Sequence, residues 1–150
     1  MNTIQAMKSG LACLGIFAVL ALSGCGFKEA TLDAEKVVSR HFQMVSTNGF
    51  EVALVDYGPQ FFAKVKKEDW LTMMGKLSAK LGDYRSHRVT GYRVFKNTST
   101  SGSGTSVALV CETTYSKHPA QEKFTLFRAL GETEFKIVGH FISSAGLLKE

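Results

Sequence analysis

The sequence predicts an α+β domain in which N-terminal helices pack on a curved four-stranded antiparallel sheet. Three observations predict it. Apolar residues recur at helical spacing between residues 31 and 82, the pattern changes after Tyr84 to runs of Val, Phe, Tyr and Thr, and an apolar block at the front belongs to neither pattern. Helices followed by strands, with no alternation of the two, place the helices on one face of a single sheet. A chain of 150 residues with 45% hydrophobic and 21% charged side chains suits one domain with one core, and excludes wholesale disorder.

The front block must be set aside before the fold is considered. It reads "MNTIQAMKSGLACLGIFAVLALSGC", with Lys8 as its one charged side chain and an uncharged run from Leu11 to Leu22. A run of about 10 to 14 apolar residues has the length of a signal-peptide core and is short for a helix that must cross about 30 Å of hydrocarbon. Small residues then precede Cys25, which leaves the backbone open to a peptidase.

"Leu22-Ser23-Gly24-Cys25" resembles the lipobox of bacterial lipoproteins at every position. The resemblance implies that residues 1–24 are a signal peptide, with Leu22, Ser23 and Gly24 read by the peptidase. It also implies that the Cys25 thiol is lipidated and that Cys25 becomes the first residue of the mature protein. Residues 25–30 are then a lipidated tether and residues 31–150 the domain. Two or three acyl chains hold a protein to a bilayer durably where one does not. Gly26 follows the cysteine, where inner-membrane retention in many Gram-negative bacteria favours Asp, so the expected location is the outer membrane facing the periplasm. A Gram-positive source would place the domain on the outer face of the plasma membrane.

Of three cysteines, Cys13 leaves with the leader and Cys25 carries lipid, so Cys111 alone stays in the domain and no intrachain disulfide is expected. Its neighbours in "SVALVCETTY" are apolar or β-branched, which points to a buried, inert thiol. Processing removes one of 18 Lys+Arg and none of 13 Asp+Glu, leaving a mildly basic domain. Such a balance fits proximity to anionic lipid or cell-wall polymer. The basic residues are scattered, and acids follow "KVKK" at once, so no nucleic-acid partner is expected.

The elements follow in order. "TLDAEKVVSRHFQMVSTNG" spaces Ala34, Val37, Val38, Phe42 and Val45 for a helix, with Thr31 or Asp33 as cap and Asn48-Gly49 as stop. "FEVALVDYG" continues as a short helix that ends near Gly58-Pro59. "KKEDWLTMMGKLSAKLGD" predicts a third, with Glu68 and Asp69 at its start, Trp70, Met73, Met74, Leu77 and Leu81 inward, and Gly82 at its end. "YRSHRVTGYRVFK", "TSVALVCETTY", "EKFTLFRAL" and "EFKIVGHFISS" predict four antiparallel strands. "NTSTSGSGTS" reads as a flexible hairpin loop between the first two.

Helices first and then a meander that closes on "FTLFRALGETEFKIVGHFIS" resembles the nuclear transport factor 2-like or cystatin-like cone. The resemblance spans about residues 30–145 and brings no catalytic motif, and folds of this kind host enzymes, carriers and assembly parts alike. Some members of such families are isomerases or hydrolases that use an Asp, Tyr or His in an apolar pocket, where burial raises a carboxyl pKa. The candidates here are Asp56, Tyr57, Tyr92, Tyr115 and His140. His41, His87, His118 and His140 lie in four separate segments without zinc-ligand spacing, so neither a metal nor another cofactor is expected.

These readings give a membrane-anchored periplasmic lipoprotein with a non-catalytic binding or assembly role. The expected partners are the membrane, through Cys25, and an envelope protein or small apolar ligand. The alternative is a pocket enzyme built on Asp56, Tyr57 or His140.

Overall fold

A computed structural model describes residues 23–99 and 102–148. Leu22 and the rest of the expected signal peptide before Ser23 lie outside the described residues. The first helix, α1, runs from Ser23 to Asn48. Residues 25–30, expected as a tether, are therefore helical, and Ala30 is already buried. Neither Thr31 nor Asp33 caps the helix. Thr31 sits inside it and donates its hydroxyl to the carbonyl of Phe27, while Asp33 pairs with Lys36 and Arg128. Gly49 ends the helix as expected, at φ 86°, a conformation that favours glycine.

A short helix α2 (Phe50–Ala53) and a 3₁₀ turn (Leu54–Asp56) follow. The sequence offered Pro59 only as a stop. It also opens helix α3 (Pro59–Phe62), because its ring presets φ and its missing N–H is not needed at a first helical position. The helix α4 (Lys67–Leu81) ends at Gly82, with φ 85°. Trp70, Met74 and Leu81 are buried along one stripe, whereas Met73, expected inward, is exposed. Three residues past Trp70, it falls on the flank of that stripe.

The four strands are β1 (Tyr84–Ser99), β2 (Gly102–Tyr115), β3 (Pro119–Ala129) and β4 (Lys136–Ser143), in the order β1-β2-β3-β4 and antiparallel throughout. Every described residue of "NTSTSGSGTS", 97–99 and 102–106, is strand and not loop: Asn97 pairs with Gly104, Thr98 with Ser103 and Ser99 with Gly102. Register shifts between Val89 and Gly91 and between Thr125 and Leu126 bend the sheet, giving a four-stranded curved sheet behind the helices.

Strand alternation sorts the two faces. Val107, Leu109, Cys111 and Thr113 of β2 point inward beside Leu126, Phe124, Glu122 and Ala120 of β3, and all are buried. α1 covers β1 and β2 on this side, and the segment after α2 meets β4, where Gly58 N–H donates to the Ile137 carbonyl at 2.9 Å. Phe42, Phe124 and Phe135 are among the largest fully buried side chains, each worth about 1.5–3 kcal/mol in water-excluded apolar surface. The outer face carries exposed Lys123, Thr125 and Phe141. Among the described residues no helix is long and apolar enough to cross a membrane.

Gly82 tests the packing of α4 against the β2–β3 turn. A Cβ there would meet the Ser116 hydroxyl and stand 3.1 Å from the Lys117 backbone nitrogen, on top of the positive φ. Gly82→Ala should lower stability by about 1–3 kcal/mol in urea denaturation, while Gly75→Ala, inside α4 with open space at its Cβ, should not destabilise.

Candidate functional site

Polar side chains that a fold buries must find partners among themselves. The inner face of the sheet holds such a group. Glu122, on β3 opposite Cys111, and His140, on β4 opposite Phe124, have no side-chain exposure, and His140 Nε2 lies 2.7 Å from Glu122 Oε2. Tyr115 donates its hydroxyl to the other carboxylate oxygen at 2.6 Å, and the Tyr57 hydroxyl lies 2.7 Å from His140 Nδ1. The Trp70 ring packs edge-on against the Tyr57 ring from α4, with centroids 5.9 Å apart. A carboxylate can only accept, so His140 donates from Nε2 to Glu122, and its Nδ1 accepts the Tyr57 proton. In this assignment every proton in the chain Tyr57–His140–Glu122–Tyr115 has an acceptor.

Burial is the first cause of the perturbed ionisation around this chain. It pushes the Tyr57 and Tyr115 phenols well above their ordinary value, and the Glu122 carboxylate adds to both shifts. Cys111 beside Glu122 is pushed up to about 12, first by burial and then by that carboxylate. The thiol is fully buried, as its apolar neighbours suggested, and is protonated at neutral pH.

His41 stands against the network from α1. Its ring meets those of His140, Tyr57 and Phe124 edge-on, with centroids 5.7, 5.4 and 5.9 Å away. Nδ1 has no hydrogen-bond partner. Burial, followed by the neighbouring His140, lowers its pKa to about 3. The imidazole is therefore neutral, and an acceptor without a donor is tolerated more easily than an unpaired donor. His87 sits further along, stacked on Phe42 at 4.6 Å and held by the Tyr84 hydroxyl at 2.7 Å.

Of the five candidates named from sequence, the structure brings Tyr57, Tyr115 and His140 into one chain. Asp56 is buried but turned elsewhere: Arg40 Nε donates to its Oδ1 at 2.8 Å, and Oδ2 has no partner. Burial raises its pKa against the pull of Arg40. Tyr92, on the edge strand opposite Leu109, is 65% exposed and belongs to no cluster. Glu122 and His41 were missed. Both carried a signal, because Glu122 is in phase with Phe124 and Leu126 along β3, and His41 with Ala34 and Val38 along α1.

A carboxylate–imidazole–phenol chain has the parts of a proton relay. Here each terminal group is occupied by another side chain. Among the described residues, open depressions of about 470, 420 and 280 Å³ lie elsewhere, and none of these is lined by a member of the chain. Among the described residues no three His, Cys, Asp or Glu side chains are grouped to hold a metal ion.

Two outcomes follow. Glu122→Ala strands the Tyr115 hydroxyl and the His140 N–H in the core, and should cost about 3–5 kcal/mol in urea denaturation. His41 has a folded pKa of about 3 against an ordinary 6.5. Its contribution is intact above pH 6.5 and is lost as pH falls, because the unfolded chain takes up a proton that the folded one refuses. The loss approaches about 1.4 kcal/mol per pH unit, so His41→Leu should flatten the fall in stability between pH 6.5 and pH 4.

Compared with protein-family models, with curated proteins and with solved structures, the chain matches none of them.

Proposed function

We propose that this chain is a lipid-anchored domain of the bacterial cell envelope, held through Cys25 at the outer membrane and facing the periplasm, that binds an envelope protein and does no chemistry of its own. The anchor rests on the match of residues 22–25 to the lipobox. The finer fold assignment, a nuclear transport factor 2-like or cystatin-like cone, is part of the same proposal and rests on element order.

The observation that carries the binding role is the contrast between the two faces of the sheet. On the inner face Tyr57, His140, Glu122 and Tyr115 are spent on one another. The outer face stays open and carries Phe95, Phe127 and Phe141 across β1, β3 and β4, with Ala108 and Val110 between them. Gly104 lets the Phe127 ring lie against the sheet, since a Cβ at that position would come within 2.7 Å of it. Arg93 and Lys123 stand on the same face and, among the described residues, have no ion-pair partner, while Glu112 is taken by Arg88. Aromatic side chains set among cations fit an acidic protein surface with an apolar centre better than a small apolar ligand, which needs an enclosed pocket.

The pocket-enzyme reading keeps one observation in its favour, the Glu122–His140–Tyr57 chain, and would require that chain to open. Replacing Cys25 by Ala should move the protein from the membrane to the soluble fraction, and continued membrane retention would contradict the anchor. For the binding face, a photo-crosslinking phenylalanine at position 141 should give a discrete adduct in cells that Arg93→Glu with Lys123→Glu abolishes. The same group at Met73, exposed on α4, should give none. Identical adducts from both positions, or none from position 141, would sink the outer-face reading.

A further inference from the structure

The first helix enters the core without slack. α1 is helical from Ser23, and Ala30 is buried, so the anchor residue stands only about 8 Å along the helix axis from packed core. Two contacts fix where that start lies. The Lys96 ammonium sits 5.2 Å from the centroid of the Phe27 ring, and Arg128 bonds to Asp33 at 3.2 Å. The Cys25 end of α1 therefore lies at the end of the sheet where β1 ends, β2 begins and β3 turns toward β4.

At that end the inner face of the sheet extends past the helix. Lys96, Thr105 and Arg128 line an open depression of about 470 Å³ with Leu130 on its rim. Leu130 is 83% exposed, on a turn tied back by its N–H to the Ser103 carbonyl at 2.9 Å. Phe27 is exposed as well. Residues 97–106 carry no charge. Lys28, Lys36, Lys96 and Arg128 stand against Glu29, Asp33 and Glu132, a surplus of one positive charge, so this end offers apolar and polar surface with only a weak field.

We infer that this end of the domain seats on the bilayer surface, with Phe27 and Leu130 at the boundary between headgroups and acyl chains and the uncharged Asn97, Ser103 and Thr105 among the headgroups. The inference rests on the lipid anchor proposed above. An anchor within a few helical residues of a packed core leaves the domain little freedom to stand off from the membrane. An aromatic ring, an aliphatic tip and hydroxyl-rich strands are the surface chemistry that the interfacial layer accepts. The opposite end, with Gly82 and the β2–β3 turn, then points into the aqueous space, and the outer face of the sheet stays free at the side.

The test uses the full mature protein in phosphatidylethanolamine–phosphatidylglycerol vesicles, with an environment-sensitive fluorophore on Leu130→Cys or on Gln121→Cys. Cys111 is buried and does not compete for the label. On reconstitution, iodide quenching of the label at 130 should fall several-fold, while that at 121 stays unchanged. Equal quenching at both positions, with Cys25 acylated by mass spectrometry, overturns this inference and leaves the anchor standing. An unmodified Cys25 overturns both. Protection of position 130 in the Cys25→Ala protein without vesicles assigns this end to a protein contact and also overturns the inference.

Discussion

A carboxylate without access to water sits in the middle of the sheet's inner face, and much of the architecture answers its demand for partners. Isolating a charged group in the interior costs several kcal/mol unless hydrogen bonds replace its hydration. Glu122 receives one bond from Tyr115 on β2 and one from His140 on β4, so the carboxylate binds its two neighbouring strands. His140 then needs a donor, which Tyr57 supplies from the segment that joins the 3₁₀ turn to α3. Trp70 holds the Tyr57 ring in place from α4, packing edge-on against it at 5.9 Å and on Phe61 at 4.9 Å. The order of these demands fixes where the helical segments sit on the sheet, which apolar burial alone, being non-directional, does not specify.

The same chain accounts for what was legible in the sequence and what was not. Periodicity located α1, α4 and the four strands, because those elements bury a continuous stripe or an alternating face. It misjudged residues whose role depends on neighbours distant in sequence. Met73 lies on the flank of a stripe that continues through Met74. Asn97–Ser99 has the composition of a loop yet is held in a ladder by the facing strand. Tyr57, Tyr115 and His140 were legible as polar or amphipathic residues in apolar surroundings, but not as partners, since the residue that joins two of them, Glu122, reads as an ordinary charge in "AQEKF". Asp56 shows the reverse error. Adjacent to Tyr57 in sequence, it faces Arg40, because successive residues at the end of a helical turn diverge in direction.

The division of labour between the two faces gives the molecule its functional character. Inside, Tyr57, His140, Glu122 and Tyr115 hold elements together, which requires only that they stay dry and paired. Outside, the bare sheet and the Cys25 end are the surfaces we propose to meet other molecules, and they differ in chemistry. One is aromatic and cationic, the other apolar with its charges nearly balanced. In that proposal the second surface is held close to the membrane and the first is presented beside it.

The claim that the Tyr57–His140–Glu122–Tyr115 chain is sealed and structural is tested most directly by NMR of the protein labelled with ¹⁵N-histidine. His140 should show Nδ1 as an unprotonated acceptor and Nε2 bearing a proton that exchanges slowly with water. A His140 imidazole whose N–H exchanges rapidly, or which samples both tautomers, would contradict the account and return the chain to consideration as an open active site.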